Sequence, residues 1–226
     1  MIPLKADLPT RTIPVITLGL ILVNILVYLF SFSVGPNMSA MFLKHGAIPY
    51  RMIHEFGPAG LPAPVFKSIF TSMFLHAGFF HVGGNMLYLW IFGNNVEDEL
   101  GHVKFIMFYL LCGVIAAYSH AVIEPSSKVP MVGASGAVSG VLGAYFLLFP
   151  RAKILTLLPI GFFITTVRIP ALVVIGLWVV GQLMYAFSAV QGQGGVAWFA
   201  HIGGFIAGVF LLRYFRTRRP RWQRRF

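Results

Sequence analysis

Six stretches of the chain contain no Asp, Glu, Lys or Arg and are almost entirely apolar. They cover residues 13–32, 79–96, 105–123, 131–149, 169–189 and 196–212. A helix that crosses a bilayer needs about 20 predominantly apolar residues, so each stretch predicts one spanning helix. The second, fourth and sixth stretches are short or rich in glycine, and their ends are the least sharply defined. The pattern predicts an all-α polytopic membrane protein, built as a bundle of six transmembrane helices.

The connections between these stretches divide the chain into three parts. Residues 1–12 are predicted to form an N-terminal tail, residues 13–212 a single six-span domain, and residues 213–226 a basic C-terminal tail. The longest connection, 33–67, is partly apolar and is expected to lie at the membrane interface. The apolar segment 154–164 is interrupted by proline and glycine and is too short to span, so we expect a second interfacial stretch there. No internal repeat is visible, and the inverted repeats of many transporters are therefore not indicated.

The distribution of Lys and Arg predicts the orientation in the membrane. With the N-terminus inside, thirteen of the 17 basic residues fall on inner segments. These are Lys5, Arg11, Lys104, Arg151, Lys153, Arg168 and the seven arginines of the C-terminal tail. The outer segments carry Lys44, Arg51, Lys67 and Lys128. Because cytoplasmic loops are enriched in Lys and Arg, both termini are predicted to be cytoplasmic, in a multi-pass protein of the cell (plasma or inner) membrane.

The composition excludes a soluble protein and weakens two other interpretations. Hydrophobic residues make up 58% of the chain and charged residues 10%, whereas a soluble domain carries about 25% charged residues. The net charge of +11 suggests nucleic-acid binding, but seven of the basic residues follow the last apolar stretch directly. That placement is typical of an anchor at the anionic membrane surface, so no nucleic-acid partner is predicted. The single cysteine, Cys112, excludes an intrachain disulfide and a cysteine-based zinc site.

Four polar residues are predicted to lie at one shallow depth in the membrane. The second, fourth and sixth spans all run from outside to inside, so the depths of their residues can be compared directly. His81 and Asn85 lie near the start of the second span, Ser135 near the start of the fourth and His201 near the start of the sixth. At about 1.5 Å per helical residue, all four fall within roughly 10 Å of the outer ends of their helices.

Ser135 lies in a Gly-Ala-Ser-Gly sequence at 133–136. A serine at the start of a helix has exposed backbone N–H groups near its hydroxyl, which suits a developing oxyanion. Helix packing is the alternative, because Gly136 and Gly140 have the small-residue spacing that lets membrane helices approach closely. The nucleophile elbow of soluble hydrolases is not matched, since Ala137 occupies the last glycine position of that motif.

His201 begins a second motif, in which Gly204 and Gly208 form a smooth face on the same helix. Ionisable residues inside a membrane are costly and usually functional. If the sixth span packs through these glycines against the glycine face of the fourth, His201 would reach the Ser135 hydroxyl, as nucleophilic catalysis requires. A hydrogen-bonded histidine in a simple helix contact is the alternative.

His81 and Asn85 lie one helical turn apart on one face of the second span. An imidazole and an amide at the depth of Ser135 would serve as oxyanion donors. A zinc site at His76, His81 and His201 is a second possibility. The chain has no His-Glu-x-x-His pattern, and the five-residue spacing of the first two histidines suits one helix face poorly. No metal site is therefore predicted.

The acidic residues provide no partner for His201. None of the six falls within a predicted span: Asp7, Glu55, Glu97, Asp98, Glu99 and Glu124. A serine hydrolase built on this chain would therefore use a Ser135–His201 dyad without an orienting carboxylate.

Four motifs taken together resemble the rhomboid family of intramembrane serine proteases. They are His76-xxxx-His81-xxx-Asn85, Gly93-xxx-Glu97-xxx-Gly101, Gly133-Ala134-Ser135-Gly136 and Ala200-His201-xx-Gly204-xxx-Gly208. Each motif is weak alone, but they occur in the family's order, one on each expected segment, over residues 66–212. Their order and the predicted topology make the resemblance specific.

The resemblance implies a six-helix bundle with a water-filled cavity that opens outward. Ser135 would be the nucleophile and His201 the general base. The Ser135 backbone N–H, the Asn85 amide and the His81 side chain would form the oxyanion hole. Family members cleave transmembrane substrates near the outer membrane surface without a metal or cofactor. The partners would thus be transmembrane proteins within the lipid bilayer, the connection 33–67 the family's interfacial loop, and the fifth span its lateral gate.

One position departs from the pattern of some rhomboids. They have a tyrosine four residues after the nucleophile that stacks against the catalytic histidine, whereas this chain has Ser139. Other neighbours must then orient His201. Two alternatives to a protease remain: a channel or carrier that uses the same polar layer, and a non-proteolytic rhomboid-like binding protein. The inactive rhomboid-like proteins lack the serine or the histidine, and this chain has both.

Overall fold

The computed structural model describes residues 1–55, 62–161, 163–189 and 197–216. The chain begins with a short strand, β1 (Ile2–Ala6), within the segment predicted to be an N-terminal tail. The first long helix, α1 (Val15–Ser33), covers the first predicted span. It begins two residues later than the apolar stretch because Pro14 directly precedes it.

Short helices fill the connection predicted to lie at the interface. After a single turn of 3-10 helix, Gly35–Asn37, come α2 (Met38–His45), α3 (Pro49–His54) and α4 (Ala63–Ser72). Both α3 and α4 have proline in their first turn, where the missing backbone N–H has no helical partner to lose. Buried apolar side chains of this connection pack together with Ala121, near the end of the third predicted span, so the connection is part of the fold. Much of its Pro/Gly-rich part, 57–64, lies outside the described residues.

One continuous helical segment covers the second predicted span and extends beyond it. It consists of α5 (Phe79–Tyr88), a π-helical turn (Leu89–Gly93) and α6 (Asn94–Leu100). Gly101 ends the segment with a φ of +82°, a left-handed conformation that favours glycine. The third span, α7 (His102–Ile123), follows at once and starts three residues earlier than predicted.

The second half of the chain contains three more helices and a β-hairpin. The helix α8 (Ser135–Leu148) starts at Ser135 itself, four residues later than the apolar stretch. The hairpin consists of β2 (Lys153–Ile160) and β3 (Phe163–Pro170). The last two helices are α9 (Ala171–Ala189) and α10 (Trp198–Phe215).

Four helices of the described residues are long and apolar enough to cross a membrane, namely α1, α7, α9 and α10. The helix α8 is apolar but has only 14 residues. The segment from α5 to α6 is divided by its π-helical turn. The protein is thus a mostly helical, multi-pass membrane protein. The count of six transmembrane helices stays a prediction.

The strands correct the all-α prediction, because they form one antiparallel sheet in the order β1-β2-β3. β2 pairs with β3 along its whole length, and the hairpin turns at Gly161, whose φ is +59°. The segment 154–164, expected as an interfacial stretch, lies in this hairpin. β1 pairs with the other edge of β2, so part of the predicted N-terminal tail belongs to the sheet.

Glycines determine how closely α8 and α10 approach each other. A Cβ atom on Gly204 would collide with the backbone of Gly136, and one on Gly208 would collide with the backbone of Gly140. The two contacts advance in the same direction along both helices, so α8 and α10 run parallel. On its other side α8 packs closely on α7, where a Cβ on Gly136 would meet the side chain of Ala116. The N-terminal ends of α8 and α10 therefore lie side by side.

A buried carboxylate fixes the start of α1. Glu97, in α6 just beyond the second predicted span, is fully buried. Its Oε1 accepts the N–H of Ile16 at 2.9 Å, and its Oε2 accepts the N–H and the hydroxyl of Thr17, each at 2.7 Å. The same carboxylate contacts Nδ1 of His102 at 2.6 Å. Glu97 thus satisfies two backbone donors that the first turn of a helix leaves without partners. Its negative charge also interacts favourably with the positive, N-terminal end of the α1 dipole.

Candidate active site

Ser135 is the first residue of α8, and the turn before it is held by hydrogen bonds to earlier parts of the chain. Gly133, with a φ of +127°, donates its N–H to the carbonyl oxygen of Ser72 at 2.9 Å. The N–H of Ala134 donates to Nε2 of His76 at 3.4 Å. Because the N–H groups of residues 133 and 134 are used in these bonds, α8 begins at Ser135, and the Ser135 side chain lies at the N-terminal end of the helix.

His76 can accept that hydrogen bond because it is neutral. It lies in the loop between α4 and α5, where it is fully buried. Burial, and next the neighbouring His81 imidazole, lower the pKa of His76 to about 4. From the sequence, His76 was a candidate for zinc and part of a family motif; its support of the turn before Ser135 was not predicted.

His201 is the fourth residue of α10 and contacts the serine directly. Its Nε2 lies 2.7 Å from Oγ of Ser135. When Nε2 carries no proton, the serine hydroxyl donates to it. This is the arrangement in which an imidazole can accept a proton from a nucleophile.

The other nitrogen of His201 contacts a residue that the sequence analysis did not single out. Its Nδ1 lies 2.7 Å from Oε1 of Gln182, a buried side chain of α9. Ser135, His201 and Gln182 thus form a chain of hydrogen bonds across α8, α10 and α9. No motif marks Gln182, and its position in the middle of an apolar stretch is the only signal.

Two tryptophans lie against the His201 ring. The Trp178 ring centroid, from α9, is 6.3 Å from that of His201, and the Trp198 ring meets it edge-on at 5.9 Å. Ser139, which stands where some rhomboids have tyrosine, donates its hydroxyl to the carbonyl oxygen of Ser135 at 2.6 Å. Aromatic contact with His201 therefore comes from α9 and α10, and not from α8.

His81 and Asn85 approach the serine from α5. A Cβ atom placed on Gly133 would lie 2.7 Å from Nε2 of His81 and 3.6 Å from Oγ of Ser135, so the imidazole lies close beside the turn that precedes Ser135. The Nδ2 atom of Asn85 is buried and has no hydrogen-bond partner within the described residues. A buried amide usually has a partner, so this donor is free to bind a group that enters the site.

These side chains line one cavity of about 750 Å³. Its polar lining includes His81, Asn85, Ser135, Gln182 and His201. The cavity continues past the end of α7, where Glu124 and Ser127 contribute to its wall. Its size falls within the usual range for ligand sites, about 300–1,000 Å³.

The histidines considered for zinc do not form a metal site in the described part of the chain. His76 packs edge-on against His81, with ring centroids 5.0 Å apart. His201 is instead engaged by Ser135 and Gln182. Over the ranges that the structure describes, no group of three His, Cys, Asp or Glu residues could hold a metal ion.

Comparison with known proteins gives the family of the chain. The sequence model of the Rhomboid domain matches residues 64–218. The chain belongs to the rhomboid family. The match includes every residue placed in the site above, from Ser72 to His201.

Several curated rhomboid proteins are similar to this chain. It is 34% identical over 149 residues to "Rhomboid protein 1, mitochondrial" of Saccharomyces cerevisiae, and the aligned region covers 63% of this chain and 40% of that protein. It is 32% identical over 142 residues to "Rhomboid protease GluP" of Bacillus subtilis, covering 63% and 24% of the two chains. It is 28% identical over 206 residues to "Rhomboid-like protein 11, chloroplastic" of Arabidopsis thaliana, covering 85% and 62%. The chain thus spans less than two thirds of each of these relatives.

Proposed function

We propose that this rhomboid protein is an intramembrane serine endopeptidase that works through a Ser135–His201 dyad. The observation that carries the proposal is the 2.7 Å contact between the serine Oγ and the histidine Nε2 at the wall of a large cavity. The name of the Bacillus subtilis relative, a rhomboid protease, supports the reaction class. Neither a metal ion nor a cofactor takes part in the proposed reaction.

The reaction proceeds in two steps of acyl transfer. Oγ of Ser135 bonds to the carbonyl carbon of the scissile peptide while its proton passes to Nε2 of His201. The protonated imidazole then gives this proton to the peptide nitrogen as the C–N bond breaks. In the second step His201 takes a proton from a water molecule, whose oxygen bonds to the acyl carbon. The bond between that carbon and Oγ then breaks, the new carboxyl terminus leaves, and Nε2 of His201 returns the proton to Oγ of Ser135.

The negative charge that develops on the carbonyl oxygen needs donors close to Ser135. The unpartnered Nδ2 of Asn85, the imidazole of His81 and the backbone N–H of Ser135 are the candidates. The N–H groups of the first helical turn carry no intrahelical bond, and the positive end of the α8 dipole adds to the stabilisation. Donors fixed in this way typically contribute a factor of about 10²–10³ each to the rate.

The substrates in this proposal are transmembrane proteins cleaved near the outer membrane surface. We take the spans as α1, α5 to α6, α7, α8, α9 and α10, with both termini in the cytoplasm. Thirteen basic residues on the inner segments against four on the outer ones support that orientation. The site lies at the N-terminal ends of α5, α8 and α10, which are then the outer ends. We place the protein in the cell membrane, although two of the relatives are named for mitochondria and chloroplasts.

A cleavage assay with purified protein tests the proposal. The protein, in detergent or liposomes, should cleave a model substrate with one transmembrane segment. Ser135→Ala and His201→Ala should each lower the rate by orders of magnitude. Ser33→Ala is the matched control, because this exposed serine at the end of α1 donates its hydroxyl to the carbonyl oxygen of Phe30 in its own helix.

Three results would overturn the proposal. Cleavage by Ser135→Ala at the wild-type rate would exclude this serine as the nucleophile. Solute flux through liposomes without cleavage would indicate a channel or carrier. Stable binding of the substrate by the wild-type protein without any cleavage would indicate a non-proteolytic rhomboid.

A further inference from the structure

We propose that Gln182 is a positioning residue that selects the productive tautomer of His201, so that α9 completes the active site. The inference rests on the proposed function, since it assigns a role within the same reaction. It starts from the 2.7 Å contact between Oε1 of Gln182 and Nδ1 of His201.

A neutral imidazole carries one proton, on either Nδ1 or Nε2. The amide oxygen of Gln182 can only accept a hydrogen bond, so it favours the tautomer with the proton on Nδ1. Nε2 then has a free lone pair directed at the Ser135 hydroxyl, 2.7 Å away. With the opposite tautomer, Nε2 would donate to Oγ and could not take the serine proton. Gln182 therefore acts on the nucleophile through the histidine.

The burial of Gln182 supports a specific role. Its neighbours on α9 at positions 183 and 184 are exposed apolar residues, as expected for a surface that faces lipid, whereas Gln182 is buried. An amide placed in an apolar surrounding is unfavourable unless it is hydrogen-bonded, and the contact with His201 provides that bond. Trp178 lies one turn earlier on the same face of α9 and also contacts the His201 ring. One face of α9 thus holds the ring at two points.

The other elements do not restrain His201 in this way. Ser139 of α8 uses its hydroxyl on the Ser135 carbonyl. The carboxylate of Glu97 is engaged at the start of α1. From α5 and α7, the titratable groups that interact with His201 are the imidazoles of His81 and His120. Within the described residues, the acceptor for Nδ1 therefore comes from α9.

The chemistry of this acceptor has two consequences. An amide orients the imidazole without adding charge, so it stabilises the imidazolium of the transition state less than a carboxylate would. Displacement of α9 away from α10 would also break the bond and release the ring. Ser135 is then activated only while α9 packs against α10.

Two substitutions at position 182 separate orientation from packing. Gln182→Leu keeps much of the side-chain volume but has no acceptor, and kcat should fall about 10-fold to 100-fold, the effect seen when a partner that orients a metal-binding histidine is removed. KM should stay unchanged because the residue does not touch the substrate in this proposal. Gln182→Glu retains an acceptor and has no donor, so kcat should stay within a few-fold of the wild-type value. Its negative charge favours the imidazolium, so the acid limb of the pH–rate profile should move to higher pH.

The control is Met184→Ala, two residues further on α9 with a side chain that is 66% exposed. It should change neither kcat nor the pH–rate profile. Wild-type kcat in Gln182→Leu would overturn the inference, and so would a Gln182→Glu protein that is as slow as the leucine variant or has an unshifted acid limb. The glutamate variant decides the matter even if Gln182→Leu fails to fold. If Ser135→Ala cleaves as fast as the wild type in the same assay, the proposed function itself is wrong, which is a different result.

Discussion

The contact between α8 and α10 should control catalysis although it contains no catalytic group. Gly204 packs on Gly136, the residue that follows Ser135. A Cβ atom at Gly204 would lie 3.0 Å from the carbonyl carbon of Gly136, still closer to its oxygen, and 3.3 Å from Cβ of Ala116. Backbone atoms cannot move aside as a flexible side chain does, so the two helices must separate.

The structure allows the size of this effect to be worked out for Gly204→Val. Ordinary contact of a Cβ atom begins near 3.4 Å, and the two extra methyl groups of valine need further space, so we expect a separation on the order of 1 Å. Misplacement of that size costs on the order of 100-fold in rate. Overpacking should also lower the free energy of unfolding by about 1–3 kcal/mol. Gly204→Ala, which adds one carbon, should lie between the wild type and the valine variant.

The assay combines cleavage of a transmembrane substrate with thermal unfolding of each variant. Gly176→Val is the matched control, because a Cβ atom on this glycine of α9 meets nothing within 4 Å. It should cleave and unfold much like the wild type. A Gly204→Val protein with wild-type turnover and wild-type unfolding would refute the reasoning, since the helix contact would then not set the distance between Ser135 and His201.

Three further outcomes are expected. Asn85→Ala should lower kcat by about 10²–10³, the effect of losing one oxyanion donor, with little change in unfolding because its Nδ2 has no partner to lose within the described residues. Wild-type kcat in this variant, or a variant that unfolds, would contradict this role. EDTA should leave cleavage intact, and activity that is lost on chelation and restored by zinc would revive the metal site at His76, His81 and His201. Glu97→Gln should lower the free energy of unfolding by about 1–3 kcal/mol, since a buried carboxylate loses charge-assisted bonds to α1. Glu55→Gln, at a half-exposed ion pair with Arg51, is the control for that variant, and equal stability of the two would disprove the capping role.

The long helices could be predicted because hydropathy reports burial in lipid directly. The predicted stretches 13–32, 105–123 and 169–189 lie within two or three residues of α1, α7 and α9. The start of α8 was less accurate for a physical reason. Residues 131–134 are as apolar as the helix, but Gly133 adopts a positive φ and bonds to Ser72, and a hydropathy pattern does not detect either feature.

The β-hairpin was not predicted, because its apolar residues resemble a short membrane segment. A turn signal was present, since Gly161 separates two mainly apolar runs that both contain Ile and Thr. The partner strand β1 lies about 150 residues earlier in the chain, and pairing over such a distance leaves no local pattern. The pairing of the three strands therefore could not be predicted from the sequence and is seen only in the structure.

Within the site, the equal depth of four polar residues correctly predicted that the N-terminal ends of α5, α8 and α10 lie together. Depth does not give the rotation of a helix about its axis, and that rotation decides which face of α9 points inward. Gln182 could therefore not be assigned to His201 from the sequence. The uncharged stretch ends at residue 96, whereas the helix continues to Leu100, so the contact of Glu97 with the start of α1 could not be predicted from the hydropathy pattern.

The most direct test of the central claim is covalent labelling with a serine-directed fluorophosphonate, followed by mass spectrometry of the modified peptide. The account predicts one adduct, on Oγ of Ser135, because His201 makes this hydroxyl nucleophilic. The adduct should be absent from Ser135→Ala and form far more slowly in His201→Ala, with both variants folded. An adduct on another residue, or equal labelling of the wild type and His201→Ala, would contradict the dyad.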